Sequence, residues 1–561
     1  MTLTLALLAL IQQVDPLAPR PAQESPTPIA EQIPLPEATP ANALNAIYTG
    51  QWAVASALVE KLDKRDPVEA LVRAELYLAA GSPEVSAAAL SELVARAREL
   101  PQAAQLASLA QRRGADPLPV ISRQRMISFG AAPRRFRPGT VSGDLEADRL
   151  RPIIQQFVEA NDPEGAETQY REAVALLGNG GRAEIAQRVA WLYYTEGRDQ
   201  DALRVAREGR SYQAPEWSAQ AAWVEGLAAW RLNDCNSASG AFRYAALGTR
   251  DSELAAAGHY WSARAEQACG RPHEVAARMR AASVDPESFY GQVARETLGM
   301  VRTPPVQVEA PSDRTLRRVE ALPNVRRAIV MAGLGRRALA DELLRHQAAI
   351  GEPTDQPALV EIARRLSLGS AQYYLGTNGP RGAKVNISAR YPAPAWQPNN
   401  GWRIDPLMAY AHIIQESDFR TQAVSPANAV GLMQVRPATA GDIARRRGDS
   451  PPSVEMLKIP EYNLDYGQAY IAEVRGDRYL QDQLPRIIAA YNAGPVPVRR
   501  WNGINDKGDP LLWIESLSYW ETRFYVPAVL RNYFVYHAQA GSTPAALKDL
   551  VEHRWPTYPD L

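Results

Sequence analysis

DPLMAYAHIIQESDFRTQAVSPANAVGLMQVRPATA, residues 405–440, is the stretch from which the rest of the chain can be read. Asp405 is a strong N-cap residue and Pro406 suits the first helical position. Leu407, Ala411, Ile414 and Asp418 fall on one helical stripe, with Met408 and Ile413 beside it. The spacing predicts an apolar helix with one acid, Glu416, in its last turn. A tight turn rich in small residues follows, and then the uncharged run Gly431-Leu432-Met433-Gln434. Most glutamates are solvated surface acids. A lone carboxyl held against an apolar wall is different: burial disfavours its ionised form and raises its pKa, which suits protonation of a leaving group near neutral pH.

Working downstream, Pro437 opens a helix expected to reach residue 447, and residues 463–474 form another, with Tyr466 and Tyr470 on one side. Pro485 opens a helix that carries Tyr491 and stops at Gly494. Glu521 starts a long helix that should bend near Pro527. Together these predict a compact, mostly helical domain over 401–561.

Upstream, Tyr391-Pro392-Ala393-Pro394-Ala395-Trp396 breaks the helical pattern, and 376–400 reads as a linker. From 41 to 375 helix-turn-helix units recur. One helix ends at Gly197 and the next begins near Ala202; Trp223 to Phe242 and Tyr260 to Met279 repeat the scheme. A recurrence of roughly 35 residues predicts a stacked helical solenoid. Its Trp and Tyr residues fall at helical spacing on buried-looking faces and are expected to pack the core. The fold class is therefore all-α, a superhelical solenoid followed by a second helical domain.

Composition agrees. The chain has 561 residues, long for one domain, and is rich in Ala, Leu, Arg and Glu. Formal net charge is zero, so no global field favours nucleic acid or an anionic membrane. Residues 1–40 read as a possible signal segment and a linker: an apolar run over 3–11, then Pro16, Pro19, Pro21, Pro26, Pro28, Pro34, Pro36 and Pro40, an extended tether. The run is far shorter than the ~20 apolar residues that cross a bilayer. It resembles a secretory h-region without a basic n-region, the first basic residue being Arg20. No Cys follows it to carry a lipid anchor, and no other segment is expected to span a membrane.

The motifs themselves resemble the soluble lytic transglycosylases. The resemblance rests on Gln415-Glu416-Ser417, Ser425-Pro426, Gly431-Leu432-Met433-Gln434 and Pro437-Ala438-Thr439-Ala440. It continues in Ala490-Tyr491-Asn492-Ala493-Gly494-Pro495 and Glu521-Thr522-Arg523-Phe524-Tyr525-Val526. Ser288-Phe289-Tyr290-Gly291-Gln292 is similar to the block that closes the helical half of the large periplasmic members. Three C-terminal blocks in the family's order are far more specific than any one alone.

What this implies is a lysozyme-like C-terminal domain acting on peptidoglycan glycan strands, without a cofactor, in the periplasm, behind an atypical or truncated signal. Other cell-wall enzymes are possible partners. Glu416 is the implied catalytic acid and then base, giving a 1,6-anhydro product. Tyr491 is expected to place its hydroxyl near Glu416 or the substrate N-acetyl group, and Gln434 and Asn492 to hydrogen-bond sugar. Met433 is expected to line the apolar wall or pack the core, and Ser425 to sit near the acid. Glu521 should line the groove or hold Arg523. A goose-type lysozyme, which delivers water instead, and a non-catalytic glycan-gripping scaffold are the alternatives.

Two positions depart from the family pattern: Asn428 stands where Gly is usual, and Arg436 where an apolar residue is. His412, one turn before Glu416, is the one neighbour that a metal would use; no His or Cys cluster accompanies it, and no metal is expected. Cys235 and Cys269 lie near the ends of what read as equivalent helices in successive repeats. They are either a disulfide, as an oxidising periplasm allows, or two small buried residues.

Overall fold

The computed structural model of the chain describes residues 35–117, 119–300 and 309–560. The apolar run over 3–11 and the prolines up to Pro34 lie outside the described residues.

The architecture is helical. The first group is α1 (Pro40–Tyr48), α2 (Trp52–Lys61), α3 (Pro67–Leu78), α4 (Ala87–Arg96) and α5 (Ala103–Arg112), followed by a short strand β1 (Met126–Ser128). The second is α6 (Leu145–Ala160), α7 (Pro163–Ala173), α8 (Asn179–Thr195), α9 (Asp199–Ser211), α10 (Trp217–Arg231), α11 (Cys235–Leu247), α12 (Ser252–Ala268), α13 (Pro272–Ala282) and α14 (Phe289–Thr297). The third is α15 (Asp313–Glu320), α16 (Pro323–Gly333), α17 (Arg337–Ile350), α18 (Gln356–Arg365) and α19 (Gly369–Thr377), ending in β2 (Asn378–Pro380).

In the second group, α8 to α13 form the expected run of antiparallel hairpins, each helix packed on the next. Small residues set the spacing: a Cβ on Gly226 would come within 2.5 Å of the Phe242 ring, and one on Gly258 within 2.6 Å of the Phe242 carbonyl oxygen. The aromatics fill the core as expected; Trp223, Phe242, Tyr260 and Trp261 are all buried. Cys235 and Cys269 are disulfide-bonded with Cα atoms 5.6 Å apart. They do not occupy equivalent helix ends: Cys235 opens α11 and Cys269 caps the end of α12, so the bond joins neighbouring antiparallel helices.

The first and third groups share one core, in which Leu71, Leu93 and Leu106 meet Val325, Leu343 and Leu359. Arg327 donates to the Pro67 carbonyl and the Arg125 amide to Ala349, and β1 pairs antiparallel with β2. The start of the superhelix thus folds back onto its end. The stretch 376–400 is packed along much of its length: it includes β2 and buries Arg390, Tyr391 and Trp396.

The C-terminal part comprises α20 (Pro406–Ser417), α21 (Pro437–Arg447), α22 (Val454–Leu457), α23 (Pro460–Arg475), α24 (Leu484–Ala493), α25 (Pro495–Trp501), α26 (Pro510–Glu515), α27 (Trp520–Gln539) and α28 (Ala545–Val551). Pro527 lies inside α27. The Ser288–Gln292 block joins this part to the superhelix. Ser288 caps α14, Phe289 stacks on Phe534 with centroids 6.2 Å apart, and the Tyr290 hydroxyl donates to Glu515 at 2.9 Å. Among the described residues no helix is long and apolar enough to cross a membrane.

Candidate active site

α20 is built as its sequence requires. The Asp405 side chain accepts from the Leu407 amide, Pro406 opens the helix, and Asp418 ends it in the left-handed conformation at φ +51°. Asp418 therefore leaves the helix and is exposed rather than continuing the apolar stripe. Glu416 remains in the last turn, half-buried, with buried Ile413 three residues before it and buried Ser417 directly after it.

The chain from 418 to 436 folds into a tight double-bridged loop, with Val430 paired to both Val424 and Val435. Gly431 sits at φ +77°, and a Cβ there would fall within 2.3 Å of the Asn463 amide, so only glycine fits. Asn463, fully buried on α23, ties this loop down. It donates to the Val430 and Leu457 carbonyls at 2.8 and 2.7 Å and accepts from the Met433 amide at 2.7 Å. Replacing it with Leu leaves three backbone groups without their partners; we expect a loss of about 2 kcal/mol in denaturant unfolding, and an unchanged midpoint would contradict this account. Asn428 takes φ +59°, the conformation that a glycine would adopt freely.

One cavity of about 620 Å³ brings together Glu416, Ser425, Gln434, Tyr491, Asn492 and Glu521, with Arg436 at its edge. Met433 is not among the lining residues. It is fully buried, and its sulfur packs where a Cβ on Gly467 would otherwise be. Gln434 donates from its side-chain amide to the Gly431 carbonyl at 2.8 Å. Ser425 accepts from the Ala429 amide at 3.0 Å and keeps its own proton to donate. The Tyr491 hydroxyl donates to the Met433 carbonyl at 2.7 Å rather than to Glu416, whose nearby charge still acts on it. Glu521 does not hold Arg523; it accepts from the Asn492 amide at 3.1 Å, while Arg523 is buried and donates to the Leu517 carbonyl.

The hydroxyl on Glu416 belongs to Tyr525 of α27, which donates to Oε1 at 2.5 Å. Sequence reasoning quoted Tyr525 within a motif without giving it a role. Behind it, His412 Nδ1 lies 2.9 Å from the same hydroxyl. Burial pushes the His412 imidazole down to about 3, so it is neutral. Because Tyr525 donates to Glu416, its oxygen accepts from His412, which places the imidazole proton on Nδ1. His412 thus orients Tyr525. Among the described residues no group of three His, Cys, Asp or Glu side chains could hold a metal ion.

Burial, and secondarily the Glu521 charge, push the Glu416 carboxyl up to about 7; the Tyr525 hydrogen bond acts against them. The arrangement is a proton donor poised near neutrality, with one hydroxyl ready to stabilise its ionised form. Tyr525→Phe removes that stabilisation. We expect kcat to drop about ten- to a hundredfold and the alkaline limb of kcat/KM to move to higher pH. A limb that stays in place or moves down would contradict the assigned contact.

Comparison with known proteins agrees with this geometry. Residues 395–514 match the family model described as the transglycosylase SLT domain. The soluble lytic murein transglycosylase of Escherichia coli K12 is 37% identical over 155 residues, 26% of this chain and 23% of that protein. Its Salmonella typhimurium counterpart is 35% identical over 162 residues, again 26% and 23%. The sequence match thus spans about a quarter of the relatives' length. Among solved structures, SLT70 from Escherichia coli superposes with a TM-score of 0.58 at 16% identity, covering 92% of this chain and 98% of that one. An inactive variant of the lytic transglycosylase Slt from Pseudomonas aeruginosa gives 0.54 at 18%, covering 93% and 90%. Residues 395–514 are thus similar to a transglycosylase SLT domain, and the chain as a whole shares its helical fold with the solved lytic transglycosylases.

Proposed function

We propose that the chain is a peptidoglycan lytic transglycosylase. The observation that carries this reading is Glu416: an acid raised to about 7, hydrogen-bonded by Tyr525, in a cavity whose other lining residues are uncharged apart from Arg436 and Glu521. The SLT domain match and the relatives' names support the substrate class.

In this mechanism protonated Glu416 donates to the oxygen linking N-acetylmuramic acid to N-acetylglucosamine. The muramic N-acetyl group stabilises C1 as the bond breaks, a task that ordinary glycosidases give to a second carboxylate. Glu416, now ionised and held by Tyr525, takes the proton from the same sugar's C6 hydroxyl, which attacks C1. The product is a 1,6-anhydromuramic end, and no water is consumed. The nucleophile is intramolecular and gains from high effective molarity. Gln434, Asn492 and Ser425 position the sugar, Tyr491 braces the loop through the Met433 carbonyl, and Glu521 both anchors Asn492 and raises the acid. Arg436, exposed at the cavity edge, attracts acidic stem peptides.

We assign 41–375 to the superhelix and 401–561 to the catalytic domain, joined through 376–400, and place the protein in the periplasm, working on glycan strands beside other cell-wall enzymes. The test is the mass of products from purified sacculi. Anhydromuropeptides are expected; products heavier by one water would make the protein a hydrolase, and glycan binding without products would make it a scaffold.

A further inference from the structure

A second and larger cavity, about 1180 Å³, adjoins the catalytic one. The two meet at Asn492 and Glu521, which line both. The Asn492–Glu521 hydrogen bond, with the Thr522 hydroxyl donating to Asn492 Oδ1 at 2.7 Å, forms the sill between them. The far wall belongs to the superhelix: the C-terminal end of α6, and α8 with the turn after it.

Four aromatic side chains line this second space: Trp191 from α8, the buried Trp501 that ends α25, and Tyr519 and Trp520 at the start of α27. Trp223 and Trp261 are sealed in the core, whereas Trp191 is half-buried, with one face covered by the Arg523 guanidinium 3.7 Å from its ring centre. Tyr519 is 49% exposed. Around them stand Asn161, Arg500 and Asn505, all exposed. Flat apolar rings with polar groups beside them match a pyranose, which presents C–H bonds on its faces and hydroxyls at its rim.

The geometry points to a glycan extension site in this cavity: a strand of N-acetylated hexosamines leaves the catalytic groove across the Asn492–Glu521 sill and stacks on Trp191, Tyr519 and Trp520. The superhelix then contributes directly to substrate binding through α8. This takes its ligand class from the transglycosylase reading above. The peptide-bearing side chains of murein are a different ligand, and peptide-free strands exclude them.

The experiment is calorimetric titration of peptide-free murein oligosaccharides, a tetrasaccharide and an octasaccharide, into the non-cleaving Glu416→Gln protein and into the same protein with Trp191→Ala or Tyr519→Ala. The octasaccharide is expected to bind about tenfold more tightly than the tetrasaccharide. Each aromatic substitution should remove most of that gain and leave the tetrasaccharide affinity alone. Tyr519→Ala, at an exposed position, keeps the test valid if Trp191→Ala unfolds. Tetrasaccharide binding with no gain on lengthening, or a gain that survives Tyr519→Ala and a folded Trp191→Ala, would overturn the extension site. No binding of either sugar would overturn the substrate class and this site with it.

Discussion

Glu416→Gln is expected to lower kcat by about 10³–10⁴-fold or more while preserving glycan binding. Positioned proton transfer contributes about 10²–10⁴-fold at each step that uses it. In the proposed mechanism one carboxyl serves two steps, first giving a proton and then taking one, and an amide does neither. The wild-type profile carries the same signature. Its acid must be protonated to start the cycle, so kcat/KM should fall as pH rises through about 7, the value to which burial raises Glu416. Stability follows with a definite sign. Because the folded pKa lies above the unfolded one, the native state binds more protons between the ordinary carboxyl range and about 7, and stability is lost as pH rises through that window. The Gln variant has no such loss. It should match wild type in acid and exceed it by ~1–3 kcal/mol above neutrality in denaturant unfolding. A variant that keeps a tenth of the activity, or one that is less stable than wild type at alkaline pH, would remove Glu416 from the proposed role.

How much of this was legible depends on how far apart the determining residues lie. α20 was readable because Asp405, Pro406 and the apolar spacing act within one helix, and α21 and α24 because Pro437 and Pro485 mark their first turns. α23 starts earlier than expected, at Pro460, a proline signal the sequence also carried. The end of α20 was hidden because a non-glycine residue, Asp418, takes the left-handed cap. Tyr525 reaches Glu416 from 109 positions along the chain. A local clue did exist: Glu521 and Tyr525 are four apart on one helix and so share a face. Nothing local marks the Tyr491 hydroxyl for the Met433 carbonyl, or α3 for α16, because a backbone acceptor and a folded-back core have no residue signature. The disulfide stayed open for the same reason: Cys235 and Cys269 meet across two antiparallel helices whose register is a tertiary matter.

Glu515→Ala is expected to cost about 3–5 kcal/mol, because it strips the partner from a buried cation. Glu515 is 1% exposed and accepts from both terminal nitrogens of Arg135, at 2.6 and 3.0 Å, and from Tyr290. Tyr290 in turn accepts from the Trp261 indole at 2.9 Å. The carboxylate therefore ties the segment before α6, the α12–α14 end of the superhelix and α26 into one joint. Without it Arg135, stacked on Trp223 and Phe524, keeps its charge in an apolar site beside the buried Arg523. Removing both members should hurt less than removing one: Arg135→Leu with Glu515→Leu is expected to recover much of the loss, since the desolvation cost of both ions disappears together. The consequence reaches the active site. Two residues beyond Glu515, the Leu517 carbonyl accepts from Arg523, and α27 then carries Glu521 and Tyr525 to Glu416. Glu515→Ala should accordingly lower kcat at temperatures where the variant is still folded, with a pH limb displaced in the direction expected of Tyr525→Phe. Additive single and double substitutions, or a stability loss under about 1 kcal/mol, would show that the superhelix merely abuts the catalytic helices; coupling would show that it holds them in register.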